Sequence, residues 1–444
     1  MANDNANPVA ASAFDSHHPP ALDVMEKCVH CGFCLATCPT YVLWGEEMDS
    51  PRGRIYLMKM ASEGKAQITE QWVGHFDSCL GCVACMPACP SGVDYGWLIE
   101  ETRAQIARLH HRSTLETLHR KLLFETFTKP HRLNLLRWPL FLYQKTGLQA
   151  LFRASGLARI LPKAVGSMDA LMPSMTSVET IPAVTPALGA QRKRVGLLLG
   201  CVQRAFLSQV SAATARVLAA EGCEVVAPQE QACCGALFVH AGEEAQAQAL
   251  ARKLIDVLEH ANVDVIITNA AGCGSSLKEY GRLLRDDPAY APRAKAFAAK
   301  VKDVTEFLWE LSPRAERKPV RARVALHDSC HLQHAQGVRA QPRSLLKQIP
   351  GLELLEIPES PICCGSAGIY NLVQPDAADA LGNRKARLIA PLKADVVVTG
   401  NPGCIFQLQS SLHRNAQRTP VLHTIQLIDA SIRGKDLHSL LSNR

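Results

Sequence analysis

Two stretches of this chain, "CVHCGFCLATCPT" (Cys28 to Thr40) and "CLGCVACMPACPSG" (Cys79 to Gly92), share one pattern, C-x2-C-x2-C-x3-C-P. Cys28, Cys31, Cys34 and Cys38 lead into Pro39, and Cys79, Cys82, Cys85 and Cys89 lead into Pro90. Eight thiols in two matched runs leave few folds open, because their side chains must be satisfied together. Disulfides, zinc and iron–sulfur clusters are the three candidates. The N-terminus has neither the basic start nor the apolar run of a secretory signal, so the expected compartment is the cytoplasm, where persistent disulfides are disfavoured. Structural zinc commonly takes two C-x2-C pairs well apart in sequence. Three evenly stepped cysteines and a fourth before proline, given twice, suit clusters better.

The pattern is the cysteine run of two-cluster bacterial ferredoxins, in which the fourth cysteine ligates the other cluster. The chain is therefore expected to cross over between two [4Fe–4S] clusters. Cys28, Cys31, Cys34 and Cys89 hold one in this reading, and Cys79, Cys82, Cys85 and Cys38 hold the other. Each proline stops the helical turn after the third cysteine. Between the runs, "DSPRGRIYLMK" (Asp49 to Lys59) reads as a turn and a helix carrying Arg52, Arg54 and Lys59. Those cations either offset the charge of the clusters or sit on an ordinary capped surface helix.

At 444 residues several domains are expected. Residues 1–20 lack hydrophobic period and read as a disordered arm, followed by the two-cluster domain over 21–100. Residues 101–166 space leucines and isoleucines at helical intervals, cut by Pro130, Pro139 and Pro162. This segment holds twelve Lys/Arg against three Glu, a local +9 in a chain whose net charge is +7. Its basic face is either solvated or placed for an acidic partner or an anionic membrane surface. Residues 167–194 fill with Pro, Ser, Thr and Ala and read as a linker. No run of 18 apolar residues offers a membrane span.

The remainder is duplicated, over 195–320 and 321–444. "RVGLLLGC" ends on Cys201 and "RVALHDSC" on Cys330; "ACCGA" holds Cys233 and Cys234, and "ICCGSAG" holds Cys363 and Cys364; Cys273 and Cys404 close the two copies. The offsets run 129, 130 and 131, and "DVIIT" and "DVVVT" each begin nine residues before the closing cysteine. Alternating strands and helices imply small parallel sheets whose loops gather at the strands' carboxyl ends. The eight repeated cysteines fall in those loops and are expected to face a shared crevice. Gly235 and Gly365 permit a tight turn and close approach there. Cys273 and Cys404 open expected helices, where the dipole lowers a thiol pKa. Cys223, inside a strand and without a counterpart, reads as packing.

Taken together, "CVHCGFCLATCPTY", "DSPRGRI", "CPSGVDYG", "HDSCHLQHAQGV", "CCGSAGIYNL" and "NPGC" resemble the cysteine-rich (CCG-domain) iron–sulfur oxidoreductases, in wording nearest to glycolate oxidase iron–sulfur subunits. The resemblance implies an α+β, two-cluster ferredoxin-like N-terminal domain with a helical extension, followed by duplicated α/β CCG domains with small parallel sheets. It also implies cofactor binding by Cys201, Cys233, Cys234, Cys273, Cys330, Cys363, Cys364 and Cys404, with a third cluster left open. The chain departs from heterodisulfide reductase, where each motif closes with C-x-x-C; Ser276 and Gln407 stand at those places. That puts any disulfide-reducing activity in doubt. His327 and His331 flank Cys330 and either tune a cofactor or brace a strand end.

Neither G-x-G-x-x-G on a strand–helix turn nor G-x-x-x-x-G-K occurs. Oxidising a 2-hydroxy acid removes a hydride equivalent and needs a two-electron acceptor such as a flavin. The expected role is thus the electron-transfer subunit of a glycolate-oxidising complex, not catalytic alone. Its expected partners are an FAD-containing 2-hydroxy-acid oxidase subunit and an acceptor such as quinone, with peripheral contact at the inner face of the cell membrane and no nucleic acid. The competing readings are a self-contained CCG-type reductase, or the iron–sulfur subunit of a lactate or glycerol-3-phosphate dehydrogenase.

Overall fold

The computed structural model describes residues 11–156, 160, 163–173 and 178–442. The chain divides into two compact units, Met1–Thr117 with Phe238–Glu244, and Leu118–Leu237 with Ala245–Arg444.

Among its described residues the first unit contains helices and turns but no strand, so the α+β expectation does not hold for it. The forty-residue insert supplies the core instead. Ser50 caps the helix Pro51–Ser62 by accepting from the Gly53 amide at 3.0 Å, with Pro51 at its first position. Thr69 likewise caps Glu70–Asp77, and Asp94 caps Tyr95–Leu109. Their inner faces bury Ile55, Met58, Trp72, Phe76, Leu98, Ile99 and Ile106 together. Of the expected arm over 1–20, residues 1–10 lie outside the described residues, and the rest is held in place. Phe14 is buried edge-on against Trp72, and Asp15 accepts from Arg108 at 2.7 Å. That pairing draws the Asp15 carboxyl down to about 2, the Arg108 hydrogen bond being the largest cause. Arg112 is engaged as well, with Asp77 at 2.7 Å and Glu116 at 2.6 Å. The foremost cations of the basic segment are thus internal ion pairs.

In the second unit the helices Pro130–Lys145, Leu148–Ala154 and Lys163–Leu171 precede the sheets. Asp169 ties them together, accepting from Tyr143 at 3.1 Å, Gln149 at 2.9 Å and Arg153 at 2.6 Å. The expected linker over 167–194 is therefore partly ordered: a helix runs into it as far as Leu171, and β1 (Val184–Thr185) pairs antiparallel with β3 (Cys223–Val226). Residues 174–177 lie outside the described residues. The first sheet runs β1-β3-β2-β4-β5, with β2 at Lys193–Leu197, β4 at Val265–Thr268 and β5 at Val301–Asp303. The second runs β7-β6-β8-β9, with β6 at Ala322–Leu326, β7 at Leu352–Glu356, β8 at Val396–Thr399 and β9 at Val421–His423. Apart from β1 every pairing is parallel, and the order 3-2-4-5 repeats as 7-6-8-9. β8, "VVVT", is buried along its whole length, as a parallel strand covered on both faces should be. Val195 and Leu197 share one core with Val324, Val398 and Leu427, and Arg216 pairs with Asp429 at 2.8 Å, so the repeats fold against each other. Cys223 is fully buried in that core, as its packing role requires.

Candidate functional site

The two cysteine runs of the first unit fold alike. In the first, His30 and Gly32 have φ of +53° and +87°; in the second, the matching Gly81 and Val83 have +59° and +49°. A β-branched residue in the left-handed region is a strained exception. The strain turns the chain around a common centre, so that successive thiols point inward. Cys28, Cys31, Cys34 and Cys89 line one cavity, which Cys85 also borders. Burial pushes the Cys34 thiol up to about 11 and raises Cys28. It also raises Cys85 well above the ordinary thiol value, with Cys82, Cys79, Cys38 and Cys34 adding to the effect. Cys89 thus joins the first run, and Cys38 lies within electrostatic reach of the second. Cys79, Cys82, Cys85 and Cys38 are buried, while Cys28, Cys34 and Cys89 are half-buried beside the exposed Cys31. Thiols gathered in this way are a donor set that suits an iron–sulfur cluster, since a bound metal deprotonates its thiols outright.

Arginines brace this centre. Arg54, 1% exposed, donates to the His75 carbonyl at 2.6 Å, to the Ser78 hydroxyl at 2.9 Å and to Thr40 and Asp49 at 3.2 Å. Thr40 Oγ1 in turn lies 3.2 Å from Cys38 Sγ. Burial raises the Cys79 thiol, but Arg54 and Arg103 outweigh it and leave Cys79 below its ordinary value. Arg103 donates to the Cys79 carbonyl, and His240 Nε2 lies 2.8 Å from the Leu80 carbonyl. Of the other two cations on the helix Pro51–Ser62, Arg52 pairs with Glu47 and donates to the His30 carbonyl at 2.9 Å, whereas Lys59 faces outward to Glu63. Arg103 and Tyr95, whose hydroxyl lies 3.6 Å from Cys79 Sγ, escaped sequence reasoning. Their position inside a helix pattern, with buried Leu98 and Ile99 between them, was the only available signal.

In the second unit each repeat gathers its own four cysteines. Cys201 and Cys233 have sulfurs 3.7 Å apart, and contacts continue from Cys233 to Cys234 and from Cys234 to Cys273. In the other copy Cys330 and Cys363 stand 4.0 Å apart, and the chain of contacts runs on to Cys364 and Cys404. The eight thus gather as two quartets, one in each repeat. The copies meet where Asn401 reaches both the Gly272 amide, at 3.3 Å, and Cys404 Sγ, at 3.6 Å. Hydrogen bonding from Cys330 and Cys364 draws the Cys363 thiol well below its ordinary value against the effect of burial, and Cys364 likewise lowers Cys404. In the first quartet, hydrogen bonding to Cys233 and then burial push Cys201 well up.

Around the second quartet His327 is buried, with Nδ1 3.1 Å from Thr399 Oγ1 and no hydrogen-bond partner for Nε2. His331 Nδ1 lies 3.4 Å from Cys330 Sγ. Lys385, on the helix Pro375–Ile389, is buried beside this group. Sequence reasoning passed it over, although it falls on the apolar face between Leu381 and Ile389. Gln407, at the place of a fifth cysteine, is buried and donates to the Ala378 carbonyl at 2.9 Å.

Known families match along most of the chain. The 4Fe-4S dicluster domain matches residues 27–93, and the cysteine-rich CCG domain matches 195–278 and again 324–409. The linker region of glycolate oxidase iron-sulfur subunits matches 115–172, the segment read from sequence as a basic helical extension. A probable glycolate oxidase iron-sulfur subunit of Bacillus subtilis (strain 168) is 40% identical over 395 residues, 87% of this chain and 89% of the relative. The glycolate oxidase iron-sulfur subunit of Escherichia coli (strain K12) is 35% identical over 420 residues, 93% of this chain and 95% of the relative. Lactate utilization protein A of an Exiguobacterium species is 28% identical over 242 residues, 54% of this chain and 98% of the relative.

Proposed function

The chain belongs to the family of glycolate oxidase iron–sulfur subunits, and on that premise we propose that it is the electron-transfer subunit of a flavin-dependent glycolate-oxidising complex. The observation that carries this reading is the grouping of Cys89 with Cys28, Cys31 and Cys34 around one cavity. It supports crossed ligation, with Cys38 completing the set of Cys79, Cys82 and Cys85. A four-iron cubane bound at each set would exchange electrons singly. The protein's own part is to bury Cys79, Cys82, Cys85 and Cys38 and to place Arg54 and Arg103 against Cys79, so that negative charge there is tolerated. In the CCG repeats the two quartets supply further thiolate sets, and the orphaned His327 Nε2 fits a bound group at the second.

A hydride acceptor is supplied by a partner in this reading, an FAD-containing oxidase subunit, and the chain passes electrons toward an acceptor such as quinone. No helix among the described residues is long and apolar enough to cross a membrane. Contact with a partner or a membrane face falls to the helix Pro130–Lys145, where Leu135, Trp138 and Leu142 stand 74%, 71% and 54% exposed. The purified, flavin-free chain is the test. Incubated with glycolate or lactate and a redox dye, it gives no turnover until the flavoprotein partner is restored. Robust turnover by the chain alone would overturn the reading.

A further inference from the structure

The duplication allows each residue of the second quartet's wall to be compared with its counterpart in the first, and the walls differ in charge. His327 corresponds, at the offset of 129, to Leu198. Lys385 corresponds, at 130 or 131, to Ile255 or Leu254, both fully buried. At these two positions the first quartet meets hydrocarbon, its nearby cation being Arg204 beside Cys201, which is bound to the Gln229 carbonyl at 3.1 Å, whereas the second meets a buried ammonium group and an imidazole.

A buried ammonium is costly unless an anion answers it. Lys385 is 1% exposed, and its Nζ donates to the Glu359 carbonyl. The two nearby carboxylates are already taken. Glu359 is bound by Arg384 at 2.6 and 2.8 Å, and Asp328 by Arg343 at 2.8 and 2.6 Å. What remains for Lys385 is sulfur. Its head bonds to the loop four residues before Cys363; burial lowers the Lys385 pKa, and Cys364 and Cys363 are the foremost groups acting against that fall. Gly365, at φ +95°, lets that loop press on the same helix; a Cβ there would lie 2.5 Å from the Ala378 carbonyl oxygen.

We propose that Cys330, Cys363, Cys364 and Cys404 hold an anionic iron–sulfur group whose counter-charge is Lys385, so that the second repeat takes up an electron more readily than the first. This rests on the reading that the repeats' cysteines bind such groups. Reduction adds one negative charge, supplied in the experiment by dithionite, and a fixed cation in a low-dielectric site stabilises the reduced form.

The test is a reductive titration of the anaerobically purified full chain, followed by electron paramagnetic resonance with iron and sulfide analysis. Cys363→Ser and Cys233→Ser assign the signals of the second and first quartets. The second-quartet signal titrates at the more positive potential. Lys385→Met moves it negative by about tenfold in the reduction equilibrium, about 59 mV for one electron, and leaves the N-terminal signals in place. Lys385→Arg keeps it near the wild-type value. A reversed order of the two quartets overturns the proposal without any lysine variant. An unmoved signal in Lys385→Met, or an equal shift in Lys385→Arg, overturns it while leaving cluster binding by the repeats intact. Iron and sulfide unchanged by Cys363→Ser would remove both the proposal and the reading on which it rests.

Discussion

Arg54 donates from Nη2 to the hydroxyl of Ser78 at 2.9 Å, so a cation from the insert between the cysteine runs is fixed one residue before Cys79. The same guanidinium reaches Thr40, two residues after Cys38. One buried side chain thereby joins the two ends that crossed ligation would bring to a single cluster. Replacing it with methionine leaves Asp49 and the His75 carbonyl without their cation. Arg54→Met should lose about 3–5 kcal/mol of stability, the usual cost of breaking a buried charged network. Denaturant unfolding checks the first effect. Iron analysis checks a second, since about four iron atoms per chain should go with one cubane.

Crossed ligation makes a distinct claim about Cys38. Although it is four residues from Cys34, its substitution by serine should disturb the cluster of Cys79, Cys82 and Cys85. Electron paramagnetic resonance of Cys38→Ser and Cys89→Ser should show each damaging the cluster of the other run. Damage confined to the sequence-local cluster in both variants would refute the crossing.

The two Cys-Cys-Gly loops should differ in their tolerance of a methyl group. Both glycines have positive φ, +78° at Gly235 and +95° at Gly365. A Cβ at Gly235 would lie 3.3 Å from the Ala247 carbonyl oxygen, a small adjustment, whereas at Gly365 it would lie 2.5 Å from that of Ala378. Gly365→Ala should therefore be the more destabilising by about 1–3 kcal/mol, as overpacking against backbone is. Thermal unfolding of the two variants side by side decides it.

Two buried histidines of the second unit should make it sensitive to acid. Burial depresses the pKa of both His327 and His423 to about 4, against about 6.5 in an unfolded chain. Between those values the unfolded chain binds protons that the folded one refuses. The histidines' contribution to stability is thus full above pH 6.5, falls as pH drops toward 4, and levels below it, while Asp303, raised by burial to about 6, offsets part of the fall. His423 accepts from the Ile425 amide at 3.1 Å as the cap of Thr424–Arg433, a role asparagine can fill. His423→Asn should remove up to about 3 kcal/mol of the loss, measured as unfolding free energy across that range.

Much of this was legible in the residues. Cysteine spacing identified both runs, because three ligands of each expected cluster lie three residues apart along one turn. The period of 129 to 131 residues exposed the duplication, and β-branched runs such as "VIIT" and "VVVT" marked its central strands. These are local signals, written in consecutive residues. Other features depended on partners far along the chain. The basic face over 101–166 was open to solvent or to a partner in the sequence, and only the fold pairs Arg108 with Asp15 and Arg112 with Asp77. Nothing in the sequence sets Lys385 apart from other helix charges. Its setting is decided by burial, and burial depends on which distant carboxylates already have an arginine. The sequence alone therefore determined that this chain is built to hold iron and sulfur. Only the tertiary structure decided where its buried charges stand, because an ion's environment comes from residues brought together by folding and leaves no mark in its immediate neighbours.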